Sequence, residues 1–208
     1  MTKIVVSYEG AVSQDDQVRD AFYAYDFTQD ANGNVAKVTE GFSQTITLRR
    51  PFAQVNVGAM DMAEAKSAGL DITKISSSMK ITDVATELYT LSGEVGNLKN
   101  VEFSKALAVT QGDGTEVLKV NAAGYEGETY GWLAMNYVLV DTEARASSSH
   151  EVTVSIYDET ELLSNHTTTN VTLARNFRTH LLGNVLTAEG QITVVIEEGF
   201  YNDDIVVE

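Results

Sequence analysis

The chain has 208 residues, enough for one large domain or two small ones with a sizeable core. Thirty acidic residues against fourteen basic give a formal net charge of -16, a field that argues against nucleic acid as a partner and favours solubility on a crowded surface. The chain has no cysteine, which excludes disulfides, thiolate metal sites and cysteine nucleophiles, and no apolar run approaches the ~18 residues of a membrane span. Lys3 to Tyr8 alternates as a short strand ending at Glu9-Gly10, and the opening residues lack the apolar core of a signal peptide. Ser13 with Asp16 fits a capping box; Val18, Ala21, Phe22 and Tyr25 follow at helical spacing and predict a short helix over 14–24. Asp30 to Asn34 reads as a hairpin turn between Phe27 and Val35. Its likeness to a calcium loop fails, because the glycine falls too early and no distal glutamate follows in register.

The stretch from Ser43 to Gly58 organises the rest. It holds the only proline, Pro51, directly after the only Arg-Arg pair, Arg49 and Arg50. Before the proline the apolar residues are Ile46 and Leu48, at even positions; after it they are Ala53, Val55 and Val57, at odd positions. Side chains alternate along a strand, so this change of parity predicts a bulge or bend, the mark of a sandwich corner where a strand passes from one sheet to the other. Proline suits such a place because no ladder donor is lost there.

Beyond it, Asp61 to Lys66 predicts one or two helical turns, capped by Asp61 and ended by Gly69. Short strands are expected at Ser78–Ala85, Glu87–Leu91, Asn100–Phe103 and Glu116–Val120, with turns at Ser92-Gly93, Gly96-Asn97 and Gly112-Asp113-Gly114. Tyr130 to Val140 is apolar on both parities and predicts a strand buried on both faces. Ala144–Ser149 reads as a polar loop. Glu151 to Tyr157 alternates, a long Thr-rich turn follows, and Val171 and Leu173 resume the pattern. Asn176–Leu182 and Gln191–Glu197 close the series, with Ile192, Val194 and Ile196 as the buried parity of the last strand. Ile46, Leu48, Trp132, Leu133, Val154, Ile156 and Val194 are the expected core. Short strands with a turn after each predict an all-β protein, an antiparallel sandwich or barrel with one or two short helices rather than βαβ units; the sandwich corner at Pro51 favours the β-sandwich. The tail Ile205-Val206-Val207 would template edge pairing if exposed, and is expected to fold back onto its own sheet, with donation to a neighbour as the other outcome.

The chemistry-bearing patterns are sparse. No phosphate-binding glycine loop, H-E-x-x-H or G-x-S-x-G is present. His150, His166 and His180 lie on separate segments without metal-ligand spacing, and the parity of His180 predicts a solvent-facing position. The acidic pairs Asp15-Asp16, Glu126 with Glu128, Glu197-Glu198 and Asp203-Asp204 read as solvated loop charge rather than a glycosidase pair. Asn165-His166-Thr167 and Asn170-Val171-Thr172 match the glycosylation acceptor pattern, which also follows from Thr-rich strand edges. No catalytic, cofactor or metal residue is assigned, and no enzyme activity is expected.

Several segments resemble, in order, the fimbrillin-like surface proteins of the Bacteroidota, relatives of the type V pilins. They are Arg19–Ala24 (RDAFYA), LRRPFAQVNVG from Leu48, the Ala-rich Met62–Gly69, Leu88–Val95, Trp132–Val140, and Arg175–Thr187 (RNFRTHLLGNVLT). The resemblance implies β-sandwich domains of transthyretin-like type, export to the outer membrane as a lipoprotein, and a structural or adhesive role in fimbriae whose subunits join by strand pairing. Its partners would be other fimbrial subunits or copies of itself, with surface glycans as further ligands and no cofactor. Family members carry a longer N-terminal region than the residues preceding Arg19, so the chain is expected to be a fragment, with 1–42 a remnant of an N-terminal domain or a leading strand and helix, and 43–208 the sandwich. The alternative reading is a carbohydrate-binding surface module in which Tyr125 and Tyr130 stack on sugars.

Overall fold

The computed structural model describes residues 3–8, 19–24, 46–48, 50–109, 117–141, 149–187, 190–198 and 206–207. Its strands are β1 (Lys3–Val5), β2 (Ile46–Thr47), β3 (Phe52–Ala59), β4 (Ile75–Tyr89), β5 (Val95–Leu107), β6 (Val117–Val120), β7 (Glu128–Leu139), β8 (His150–Asp158), β9 (Glu161–Val171), β10 (Phe177–Gly183), β11 (Thr193–Glu198) and β12 (Val206–Val207). One helix, α1 (Met62–Ser67), and a 3-10 turn at Ile72–Lys74 complete the described elements. The fold is an all-β sandwich with little helix.

Five strands form the first sheet, in the order β1-β4-β8-β9 with β5 on β4; five form the second, in the order β11-β10-β3-β7-β6. The chain visits the sheets alternately in hairpin pairs, β4-β5, β6-β7, β8-β9 and β10-β11. The main core lies between them and includes Val55, Val57, Met79, Ile81, Phe103, Leu133, Val138, Val154, Ile156 and Leu181, each at most 3 % exposed. One pair departs from the expected antiparallel order: β10 runs parallel to β3, with Thr179 opposite Val55 and Leu181 opposite Val57. The link from β9 carries the chain across to the other sheet, so β10 arrives beside β3 in the same direction instead of as its hairpin partner.

The change of parity at Pro51 corresponds to a change of sheet. β2 pairs with β12 in a separate two-stranded ladder, and β3 enters the second sheet with Ala53, Val55 and Val57 wholly buried. The C-terminal tail therefore folds back, Val206 opposite Thr47 and Val207 opposite Ile46. Arg49 and the Asp30–Asn34 and Gly112–Gly114 turns lie outside the described residues, as do most of the 144–149 loop and the side chain of Ile46.

Several local expectations are corrected. Residues 19–24, the described part of the expected helix, are not α-helical, and Tyr23 makes an isolated bridge. Their side chains are engaged by distant arginines, and those contacts override helical spacing. Ser78–Ala85 and Glu87–Tyr89 belong to one strand, β4, which bends at a register shift between Ile81 and Val84, where Asp83 takes φ 55, while Thr90 and Leu91 lie in the turn that follows. Aspartate tolerates that conformation, so the strand kinks without ending. Gly96-Asn97 sits inside β5, and the reversal is at Gly93, whose N–H reaches the Tyr89 carbonyl at 2.8 Å. The Thr-rich segment is strand β9, not a turn; its inward residues Ser164 and His166 are polar, so it shows no apolar alternation. Leu48, Trp132 and Val194 are half-buried, whereas Leu133, Val154 and Ile156 are fully enclosed. In β11 the buried residues are Val195 and Glu197, and Ile196 is 36 % exposed, because a second small core covers the outer face of this sheet.

Candidate functional site

The motif-bearing segments come together at one end of the second sheet. Arg50, just before Pro51, donates from Nε to Asp20 Oδ1 at 2.6 Å and from Nη2 to Asp20 Oδ2 at 3.1 Å. Its Nη1 donates to Asn176 Oδ1 at 2.7 Å, and its guanidinium lies 4.5 Å from the Phe22 ring centre. Arg175 mirrors it: Nε donates to the Val140 carbonyl at 2.8 Å, Nη1 to Tyr23 Oη at 2.7 Å and Nη2 to the Gly93 carbonyl at 2.7 Å. Asn176, held at φ 59, ties its backbone N–H to the Phe52 carbonyl at 3.0 Å. Two planar forks thus clamp residues 19–24 against β3, β7 and the β4-β5 turn, a geometry guanidinium supplies and ammonium does not.

Arg19 continues the clamp towards the N-terminal strand. It donates to the Ser7 carbonyl at 3.2 Å and stands 5.3 Å over the Tyr8 ring. Tyr8 is buried, accepts the Leu139 N–H at 2.9 Å, and burial pushes its phenol up to about 12, so it stays neutral.

The outer face of the second sheet carries a buried polar row. Glu197 of β11 accepts from Arg178 Nη1 at 3.0 Å, meets His180 Nε2 at 3.2 Å and accepts the Asn121 N–H at 2.9 Å. Further along, Gln54 donates to Tyr137 Oη at 3.0 Å, Asn56 to Gln54 Oε1 at 3.1 Å, and Trp132 Nε1 to Asn56 Oδ1 at 3.2 Å. Burial holds the Tyr137 phenol above its usual range and lowers the His180 imidazole, against the opposing pull of Glu197. His180 is 0 % exposed, which corrects the solvent-facing expectation. The curled sheet brings Leu118 of β6 and Leu182 of β10 together over Gly58 on this outer face.

A family model described as "Family of unknown function (DUF6562)" matches residues 1–207. The chain belongs to this family. No curated protein matches it. Among solved structures it is similar to the tip fimbrial protein Mfa3 from Porphyromonas gingivalis with C-terminal truncation, at 10% identity and a TM-score of 0.39, over 86% of this chain and 70% of that one.

In this member of the family, His180 and Glu197 meet at 3.2 Å on the outer face of the second sheet, while His150 and His166 lie on other strands. His150, His166 and His180 lie on three strands, all buried, and no group of three or more metal-ligating side chains forms among the described residues. Glu126 is exposed and accepts the Gly124 N–H, while Glu197 is buried and neutralised by Arg178. Asp15, Asp16, Asp203 and Asp204 lie outside the described residues. Tyr125 and Tyr130 pack against the outer-face cluster of Leu118, Val120 and Leu182. Asn165 and Asn170 are exposed on β9. The Arg50 and Arg175 clamps were visible in sequence as motif letters; the direction in which their side chains point was not.

Proposed function

We propose that the protein is a non-catalytic structural subunit of cell-surface fimbriae, exported and assembled through β-strand pairing with other subunits or with copies of itself. The observation that carries this reading is the shallow hold of β1 on the first sheet. β1 has three residues, all exposed, and pairs with β4 only at Glu87–Tyr89. Lys3 Nζ ties β1 to Glu87 Oε1 at 2.6 Å, a solvent-screened surface ion pair that holds the strand only weakly. Displacing β1 would free the β4 backbone to accept an extended strand by main-chain hydrogen bonds. The fimbrillin-like segments support the same reading.

The test is sizing by light scattering and negative-stain microscopy across a concentration series, with the full chain and with a version cleaved after Val5, which removes β1 and leaves the buried Tyr8 in place. Head-to-tail polymers from the cleaved form support the reading. Monomers at every concentration in both forms, or turnover of a glycoside, ester or peptide substrate, would count against it.

A further inference from the structure

β9 ends the first sheet and, among the described residues, pairs with β8 alone. An edge strand presents a row of unpaired N–H and C=O groups that templates pairing with another chain, and proteins blunt such edges with charge, proline or a covering segment. The other edge strands of the two sheets carry charge: β1 has Lys3, β5 has Lys99, Glu102 and Lys105, β6 has Lys119, and β11 has Glu197 and Glu198. β9 does not. From Leu162 to Val171 it holds no aspartate, glutamate, lysine, arginine, proline or glycine, in a chain with a formal net charge of -16.

Two bulges set off a short regular stretch within it. Ser164–Thr168 pairs with Val152–Ile156 without a break, His166 opposite Val154. β9 has an extra residue on each side, at Leu163 before the stretch and at Thr169-Asn170 after it, where Asn170 takes φ 59. The interruptions begin equally far from His166 in the two directions. Ser164 and His166 are buried on the inner face, while Asn165 and Thr167 are exposed on the outer one. Thr167 Oγ1 already meets Thr153 Oγ1 of β8 at 2.9 Å, a cross-strand pair of the kind that stabilises sheets.

We infer that β9 is a self-pairing edge: two copies of the chain join β9 to β9, antiparallel, about a two-fold axis at His166, and their first sheets become one continuous sheet. In that register each Asn165 faces the partner's Thr167, and the inward residues of both copies stay inward. A two-fold contact needs a surface complementary to itself, and the symmetric placement of the bulges with an uncharged polar row between them supplies one. A register displaced from His166 runs a bulge into the ladder and shortens it. Two acidic molecules can meet here because no carboxylate is brought opposite another. The contact goes beyond the assembly proposed above, since β1 takes no part in it.

The experiment is sedimentation velocity of the full chain over a concentration series, expected to show a reversible monomer–dimer equilibrium. Asn165→Asp with Thr167→Asp in one chain puts carboxylates opposite carboxylates in the dimer. Both positions are exposed in the monomer, so this variant is expected to keep the wild-type thermal melt at low concentration and to dimerise about tenfold more weakly. Asn165→Lys with Thr167→Lys is expected to weaken the dimer in the same way, and an equimolar mixture of the two variants to form heterodimers. The register is read by oxidative crosslinking, since the chain has no cysteine of its own. A mixture of Asn165→Cys and Thr167→Cys is expected to crosslink and each variant alone much less, because directly opposed residues lie within disulfide reach. Monomers at every concentration, unchanged dimerisation of a folded aspartate variant, or equal crosslinking of either cysteine variant alone overturns the proposal. Polymerisation after cleavage at Val5 reads the β1 site separately, because Asn165 and Thr167 lie on a different strand from β4.

Discussion

Arg50 and Asp20 meet on both prongs, Nε to Oδ1 at 2.6 Å and Nη2 to Oδ2 at 3.1 Å, across 30 positions of chain. The pair is only 11 % and 27 % exposed, and it ties residues 19–24 to the segment that leads into β3. Arg50→Lys cannot reproduce two parallel bonds. Amide exchange of residues 20–24 is expected to accelerate in this variant while that of β7 stays slow. Arg50→Ala, which strands the carboxylate, is expected to cost on the order of 2–4 kcal/mol in urea unfolding. Unchanged exchange in residues 20–24 would remove the clamp from the account.

Asp61 does not cap α1, as its position before Met62 predicted. Its carboxylate instead accepts the N–H groups of Val185, Leu186 and Thr187, at 3.2, 3.0 and 2.7 Å, and the Thr187 hydroxyl at 2.8 Å. A cap would tolerate serine. Here Asp61→Ser is expected to behave like Asp61→Ala, each losing about 2–4 kcal/mol, because the shorter side chain leaves buried amides unpaired. Full stability of Asp61→Ser in a thermal melt would restore the cap reading.

Gly58 is required by close approach. A Cβ there would stand 2.6 Å from Leu182 Cδ2 and 3.0 Å from Leu118 Cδ2. Gly58→Ala is expected to destabilise by about 1–3 kcal/mol, with part of the loss recovered when Leu182→Ala makes room. Strict additivity of the two substitutions would mean that the side chains do not meet.

The pH dependence of stability should carry a signature of His180. Burial lowers its pKa, so the native imidazole stays neutral at a pH where the unfolded one has already taken a proton. The unfolded state then binds more protons, and stability falls as pH drops below about 6.5, the unfolded value, until the native group protonates in turn. Wild type is expected to lose stability more steeply than His180→Gln between about pH 7 and about pH 5. Parallel stability curves from denaturant unfolding would show that His180 contributes nothing to this slope.

Sequence alone determined the class of this protein, because strand periodicity is a local property. Alternation at Ala53, Val55 and Val57 and at Val152, Val154 and Ile156, with turn residues between, is enough for an all-β sandwich. The change of parity across Pro51 was likewise sufficient to announce a change of sheet, whereas the β-branched end of the chain left fold-back and donation open, and its pairing with β2 in a separate ladder was settled by tertiary structure. What tertiary structure decided is which polar residues are inside. Gln54, Asn56, His180 and Glu197 occupy the parity opposite Val55, Val57 and Leu181 and are nevertheless buried, on an outer face that carries its own small core around Leu118, Leu182 and Val195. The partners of Arg50 and Arg175 were equally out of reach, since a guanidinium signals a fork to be filled but not the distant carboxylate, amide or phenol that fills it. Periodicity reports the face a side chain occupies; whether that face meets water depends on a second layer contributed by residues far away in the chain.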